Sequence, residues 1–151
     1  MIRKKPADPE ALLKRMAGLC AKSEQCSFDI SVKLYKAGLS ASQREEILEY
    51  LTTNRYINDA RYAKAFASFK VRFSGWGKYK IKMALAAKRI PSDIVADALD
   101  AINPEDYIDA LKRIIENKKR DIDVSNREQR LKLYRHLLAR GFESALISKY
   151  I

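Results

Sequence analysis

The side chains best suited to chemistry in this sequence are cations, and nine of them lie in a segment without acidic residues. The segment runs from residue 60 to residue 92. Its formal charge is 9 − 0 = +9, against +11 for the whole chain. Positive charges without acidic neighbours repel one another, whereas ordinary solvated helix surfaces mix the two signs. The segment is therefore interpreted as a binding surface for a polyanionic partner such as nucleic acid. The nine are Arg61, Lys64, Lys70, Arg72, Lys78, Lys80, Lys82, Lys88 and Arg89.

These nine cations and Trp76 are the candidate residues for binding DNA or a DNA-protein filament. Lysine predominates in the second half of the segment, and its ammonium group meets phosphate as a point charge, so we expect sequence-independent backbone contacts. Trp76 lies between Gly75 and Gly77. Its indole either stacks on a base or packs inward between the flanking helices, and a lone aromatic in a tight turn favours inward packing.

Residues for catalysis or metal binding are scarce. The only histidine is His136, and the two cysteines, Cys20 and Cys26, are far from it in sequence. The chain has no glycine-rich phosphate loop or nucleophile motif, and its neighbouring carboxylates occur at helical or turn spacing, where capping and solvation explain them. We therefore predict no catalytic residue, no cofactor and no metal site, and expect the cysteines to be free thiols.

The composition is that of a folded, cytoplasmic protein. The chain has 151 residues, 47% of them apolar, with five glycines and four prolines. Lys14 and Arg15 interrupt any apolar run near the N-terminus, which makes a signal peptide a poor interpretation, and no stretch approaches a membrane span. We expect a monomer that does not enter a membrane.

The apolar and capping patterns predict helices throughout. Ser40 with Gln43 three positions on is typical of a capping box. Helices are also predicted from Asp59 to about Phe73 and over 78–89, on the two sides of the glycine-flanked tryptophan. β-branched residues never alternate over the length of a strand, so the fold class is predicted to be all-α.

Helical angles predict which residues of the basic segment are buried. Four aromatics of the first basic helix fall within about 60° of one another at 100° per residue, which predicts a core stripe in preference to a base-stacking surface. Arg61, Lys64 and Arg72 lie on another sector and should face outward. On the next helix, Lys78, Lys82 and Arg89 fall within about 40° of one another. The four aromatics are Tyr62, Phe66, Phe69 and Phe73.

A repeat underlies this succession of helices. Residues 34–39, 85–90 and 137–142 align at offsets of 51 and 52, and the same offsets align further apolar positions. Such periodicity predicts three tandem three-helix units forming an elongated, curved helical array. The predicted boundaries are an N-terminal tail at 1–10, a first unit at 11–53, a second, basic unit at 54–103 and a third unit at 104–151.

Residues 55–90 contain a characteristic series of features: an aromatic-Ile-Asn-Asp turn, an aromatic-Ala pair, a basic helix, a glycine-containing turn and an Ile-x-x-x-Leu helix that ends in a turn closed by isoleucine. This series resembles the most distinctive part of the RecX family of recombination regulators. The likeness extends to the flanking units and so covers almost the whole chain. The chain departs from the family pattern at Asn54-Arg55 and at Arg89, where glycine is common.

The resemblance implies tandem three-helix units and a regulator that binds the RecA recombinase filament, with single- or double-stranded DNA as part of the partner. It also implies inhibition of the filament's ATPase, strand-exchange and co-protease activities, and hence modulation of recombinational DNA repair and the SOS response. Two other interpretations stay open from the residues alone. One is a sequence-independent nucleic-acid-binding protein without recombinase contact, and the weaker one is a basic protein of the membrane surface.

Overall fold

The computed structural model describes residues 7–151, and that part of the chain forms nine α-helices and contains no β-strand. The predicted all-α class is therefore confirmed. The helices are α1 (Pro9–Lys22), α2 (Ser27–Lys36), α3 (Ala41–Thr53), α4 (Asp59–Ser74), α5 (Lys78–Ala87), α6 (Ser92–Asp100), α7 (Pro104–Lys119), α8 (Arg127–Ala139) and α9 (Ser144–Tyr150).

Four helices, α1, α3, α7 and α8, begin at a short polar side chain that accepts a hydrogen bond from a first-turn amide. Asp8 accepts a hydrogen bond from the Glu10 amide at 3.1 Å, and α1 begins at Pro9. The N-terminal tail predicted at residues 1–10 stays a prediction. Residues 1–6 of that tail lie outside the described range. The predicted capping box is confirmed: the Gln43 amide donates to the Ser40 hydroxyl at 3.2 Å, and the Ser40 amide donates to the Gln43 side chain at 2.9 Å. Each such bond satisfies a backbone group left unpaired at a helix start.

The chain divides into two compact units, one reaching Tyr62 and the other running from Ala63 to Ile151. In the first unit, Asp59 ties the start of α4 to the start of α2, because its carboxylate accepts from both the amide (2.8 Å) and the hydroxyl (2.9 Å) of Ser27. The apolar core of this unit is contributed by all three of its complete helices and the turns between them. It consists of Met16, Ile30, Leu34, Leu39, Ile47, Leu51 and Ile57.

The second compact unit holds the basic helices and all that follows them. Each helix from α4 to α9 contributes buried side chains to this unit. The largest fully buried side chains of this unit are Val71, Ile81, Leu85, Leu111, Ile115, Leu137 and Ile147. The domain boundaries predicted at 53/54 and 103/104 stay predictions.

The predicted repeat has a structural counterpart in three identical turns. Gly38, Arg89 and Gly141 stand at offsets of 51 and 52, and all three have positive φ, at 93°, 57° and 97°. The amide that follows each donates to the leucine carbonyl five residues back, which closes the preceding helix in the same way. Glycine adopts this conformation without strain, whereas arginine does so at a cost of about 1–2 kcal/mol.

The repeat columns predicted to be apolar are buried in three cases out of four. The leucines at 34, 85 and 137 are fully buried, and the columns of Ile30 and Leu39 are almost completely so. The column of Phe28 is not, since its later members, Tyr79 and Leu131, are exposed. The three units therefore share one buried pattern centred on the middle helix of each.

The predicted burial of the aromatic stripe on α4 is wrong for its C-terminal half. Phe69 and Phe73 are exposed and Phe66 is half-buried, while Tyr62 alone is buried. The buried sector of α4 is instead formed by Ala63, Ala67 and Val71, roughly 130° around the helix from the stripe. Small side chains permit the close approach of neighbouring helices, so the helix buries them and leaves the phenylalanines at the surface.

The helix predicted over 78–89 also ends early. It stops at Ala87, and Arg89 lies in the following turn with φ of 57°. The grouping of Arg89 with Lys78 and Lys82 on one helix face is therefore wrong. The change of direction follows from the repeat, which requires a left-handed residue at this position to bring Ile90 into the core.

Gly77, directly before α5, lies in backbone contact with the turn that joins α8 to α9. A Cβ atom on Gly77 would come within 2.2 Å of the Gly141 carbonyl carbon, and one on Gly141 within 2.5 Å of the Lys80 amide nitrogen. No real Cβ atom approaches backbone so closely. Glycine is therefore required on both sides of this contact.

We expect Gly77→Ala to lower the free energy of unfolding by at least about 1–3 kcal/mol, because the backbone segments must separate to admit the methyl group. Gly18→Ala is the matched control: Gly18 lies inside α1 with nothing within 4 Å of its Cβ position. It should raise stability by about 0.5–1 kcal/mol through better helix propensity. Urea denaturation followed by circular dichroism measures both, and a neutral Gly77→Ala would contradict the contact.

Candidate nucleic-acid interface

The acid-free segment of residues 60–92 occupies most of α4, the α4–α5 turn, α5 and the turn that follows. Its cations differ in exposure. Lys70, Lys78, Lys80 and Lys88 are half-buried, which leaves their ammonium groups near other side chains. The exposed cations of the segment are Arg61, Lys64, Arg72, Lys82 and Arg89.

Trp76 lies among two cations and one further aromatic ring of this segment. The Lys70 ammonium lies 4.5 Å from the indole centroid, and the Lys80 ammonium lies 4.7 Å from it. The ring of Phe66 meets the indole edge to face, with centroids 6.2 Å apart and planes at 73°. The structure thus brings together Trp76 and the two lysines predicted from sequence. The indole is half-buried, neither free in solvent nor enclosed in a core.

Two cations against one indole gain cation–π attraction but repel each other. The ring quadrupole attracts each ammonium group by about 0.5–1 kcal/mol at an exposed site. Both ammonium groups lie near the same indole centroid, at 4.5 and 4.7 Å, and residues 60–92 contain no acidic side chain. An anion placed beside both relieves that repulsion, so the cluster of Trp76, Lys70 and Lys80 is suited to receive a phosphate.

The exposed end of α4 carries a second aromatic–cation pairing. The Arg72 guanidinium lies 5.4 Å from the Phe73 ring centroid, and the rings of Phe73 and Phe69 are 5.0 Å apart. The carbonyl groups at this helix end accept hydrogen bonds from guanidinium groups far along the chain. Arg113 donates to the Arg72 carbonyl at 3.4 Å, and Arg140 donates to the Gly75 carbonyl at 3.0 Å and to the Ser74 carbonyl. Cations at these positions complement the partial negative charge of a helix C-terminus.

The start of α5 is fixed by hydrogen bonds that its amides donate to carbonyls of the third predicted unit. The Gly77 amide donates to the Arg140 carbonyl at 2.7 Å, and the Tyr79 amide donates to the Gly141 carbonyl at 3.0 Å. These bonds satisfy amides that a helix start leaves without an intrahelical partner. Trp76 therefore lies in a turn, and Lys80 in the first turn of a helix, whose backbone is held at two points.

Tyr107 supplies a further attachment. Its hydroxyl accepts from the Lys78 amide at 3.0 Å and donates to the Glu143 carboxylate at 2.6 Å. Burial and the hydrogen bond to Glu143 raise the pKa of the Tyr107 phenol well above its usual range, so the hydroxyl keeps its proton as a donor. The Lys78 ammonium lies 5.1 Å from the Tyr107 ring centroid, which commits this cation in part to packing.

Arg61 has structural partners in the first compact unit. Its Nε atom lies 2.5 Å from the Glu24 carboxylate, and its Nη2 atom donates to the carbonyls of Arg55 (3.2 Å) and Tyr56 (3.3 Å). These contacts hold the turn that contains Arg55, whose φ is 60°. Arg61 therefore has three partners to release before it can meet a phosphate.

Sequence reasoning missed the residues that hold the surface in place. Arg140 and Tyr107 act across about 65 and 29 positions of sequence, and no local pattern connects them to the α4–α5 turn. The sequence does show an alternative buried face on α4, since Ala63, Ala67 and Val71 recur every four residues and form a second apolar stripe of small side chains.

Other functional classes find little support in the described residues. Within 7–151 no group of three or more His, Cys, Asp and Glu side chains is placed to hold a metal ion. His136 has a pKa below its usual value because of burial and the nearby charges of Lys118 and Arg140, so it is neutral near pH 7. Over the same range, no helix combines the length and the apolar character that crossing a bilayer requires.

Comparison with known proteins gives the family. Two family models match, described as the second three-helix domain of RecX over residues 58–99 and the third three-helix domain of RecX over residues 105–151. The regulatory protein RecX of Prosthecochloris aestuarii is 30% identical over 143 residues, which cover 93% of this chain and 91% of that protein. The regulatory protein RecX of Clostridium perfringens is 32% identical over 74% of this chain and 53% of that protein.

Solved structures show the same fold. A crystal structure of regulatory protein RecX aligns with a TM-score of 0.78 at 22% identity, covering 93% of this chain and 70% of the other. The crystal structure of RecX from Lactobacillus salivarius aligns with a TM-score of 0.75 at 20% identity, covering 94% and 93%. Together, the two matched three-helix domains and the near full-length relative in Prosthecochloris aestuarii place the chain in the RecX family of regulatory proteins.

Proposed function

We propose that the chain regulates the RecA recombinase by binding the RecA–DNA filament and inhibiting its ATPase, strand-exchange and co-protease activities. In the cell this inhibition modulates recombinational DNA repair and the SOS response. The chain acts by stoichiometric binding rather than catalysis, as a cytoplasmic monomer without a cofactor. Membership of a family of regulatory proteins supports the regulatory role, and the acid-free surface supports the filament's DNA as part of the target.

The observation that carries the proposal is the segment of residues 60–92, where nine cations occur without an acidic neighbour in sequence. Five of those cations are exposed. Backbone hydrogen bonds hold the α4–α5 turn, which presents Trp76, and the start of α5, which presents Lys80. A surface fixed in this way loses little conformational entropy when a ligand binds.

The chemistry of the surface favours the DNA backbone over the base edges. Lysine ammonium groups contact phosphates without a fixed orientation, whereas base-edge recognition relies on bidentate side chains such as arginine. Phosphate contact accordingly fits the proposed target.

The second candidate is a sequence-independent nucleic-acid-binding protein without recombinase contact. The Trp76 cluster favours it, because an aromatic ring between cations is a common feature of proteins that bind single strands. The two functions differ in whether inhibition of a recombinase accompanies DNA binding. They are distinguished by measuring both activities on one set of variants.

We expect the affinity for single-stranded DNA to fall steeply with salt and to vary little with sequence. Each phosphate contact contributes about −0.7 to the slope of log K against log salt concentration, because binding releases condensed counterions. Fluorescence anisotropy across a salt series measures the slope. A flat salt dependence, or strong preference for one sequence, would contradict phosphate contact.

Changing Lys64, Lys82 and Arg89 together to glutamine should reduce that salt slope by about 2 and lose most of the inhibition of RecA ATP hydrolysis. All three side chains are exposed, so stability should change by less than about 0.5 kcal/mol per site. Steady-state ATP hydrolysis on single-stranded DNA measures the inhibition.

The matched control removes Arg127, Arg130 and Lys132, three exposed cations of α8. Both variants lose the same net charge, so a long-range electrostatic effect lowers inhibition in both alike. The proposal expects the control to keep most of its inhibition. Equal losses would indicate diffuse attraction to polyanions, and full inhibition by the first variant would exclude the acid-free segment as the operative surface.

A further inference from the structure

Two neighbouring phenylalanines of α4 are exposed to solvent. The side chains of Phe69 and Phe73 are 54% and 68% exposed, and their ring centroids lie 5.0 Å apart with planes tilted by 38°. A single exposed apolar side chain is ordinary, but a paired aromatic surface leaves burial free energy unused and marks a binding site. The same helix buries alanines instead, so the pair is not forced outward by lack of a buried sector.

A cation accompanies each of these rings. The Lys70 ammonium lies 6.0 Å from the Phe69 ring centroid, and the Arg72 guanidinium lies 5.4 Å from that of Phe73. Residues 60–92 contain no acidic side chain, and Asp106 and Asp109 of α7 line a pocket together with Arg72, Phe73 and Arg113. Each exposed ring of α4 thus has a cation beside it, and Lys70, which is half-buried, has no acidic neighbour in its own segment. A single nucleic-acid strand presents the complementary groups, base faces and phosphates.

A protein partner fits this arrangement less well. The buried centre of a protein–protein interface is depleted of charged residues, and its charges lie at the rim. Here the cations lie against the rings themselves, where a protein partner would have to desolvate them. Phosphates beside stacked bases neutralise the same charges while the rings are covered.

We propose that Phe69 and Phe73 stack on unpaired bases, and that this surface thereby makes the chain prefer single-stranded over double-stranded nucleic acid. The inference rests on the proposed function in taking nucleic acid as a partner, and it adds the form of the strand that the surface selects. Lys70 and Arg72 contact the phosphates that flank the stacked bases.

The selectivity follows from what a duplex hides. Base faces inside a double helix are covered by their neighbours, so a surface side chain reaches them only after unstacking. Phosphates are accessible in both forms. The cations of the segment therefore attract single strands and duplexes alike, and the two phenylalanines add affinity for single strands alone.

The test is the double variant Phe69→Leu/Phe73→Leu, which keeps apolar side chains at both positions and removes the aromatic faces. Binding to oligo-dT should weaken by at least about tenfold, as expected from the loss of base–aromatic stacking. Binding to a duplex of equal length should stay within about twofold, since no phosphate contact is removed, and the salt slope should be unchanged. Fluorescence anisotropy across a salt series gives both affinities and the slope, and circular dichroism confirms the fold.

Tyr35→Leu/Tyr50→Leu is the matched control. Both tyrosines are exposed and lie outside the acid-free segment, so their loss should leave both affinities unchanged. Unchanged oligo-dT binding by the phenylalanine variant, or equal losses on single strand and duplex, would overturn the inference. Loss of RecA inhibition with intact oligo-dT binding would also overturn it, by assigning the pair to a protein contact. Those results leave the proposed function standing, because the latter is tested by the cation variants.

Discussion

The close approach of Gly77 to Gly141 is the constraint on which the candidate interface depends. Neither residue has room for a Cβ atom, and the resulting contact lets the amides of Gly77 and Tyr79 reach the carbonyls of Arg140 and Gly141. Arg140 then closes over the carbonyls at the end of α4. The start of α5 and the turn with Trp76 are positioned by a part of the chain about 65 residues away. This attachment orders the turn with Trp76 and the start of α5, which carries Lys78 and Lys80.

The charge pattern and the repeat explain why a left-handed arginine is tolerated in that surface. Arg89 stands where the other two units have glycine, and its φ of 57° carries a conformational cost that glycine avoids. Its side chain is exposed in the most basic part of the chain. Strained backbone positions are often retained at functional sites, and Arg89 is consistent with that tendency.

Much of the fold was predictable because local chemistry determines it. The capping box of Ser40 and Gln43 is formed by neighbours in sequence, and the columns of Ile30 and Leu34 recur in each unit as buried positions. The positive charge of the candidate site could be predicted from the sequence, but the arrangement of its side chains in space could not. Two apolar stripes compete on α4, and periodicity alone cannot show that the small residues around Ala67 are buried in preference to the larger Phe69 and Phe73. The contacts of Arg140 and Tyr107 depend on long-range packing, which a single sequence does not encode in any short pattern.

The function that we propose combines general attraction to DNA with a specific effect on the recombinase. The acid-free segment supports the proposed attraction, and membership of the RecX family of regulatory proteins supports the proposed effect. The most direct measurement is the rate of ATP hydrolysis by preformed RecA filaments on single-stranded DNA as the unmodified chain is titrated. Our account predicts a saturable fall in that rate as the chain occupies the filament. An unchanged rate at concentrations that saturate DNA binding would contradict it.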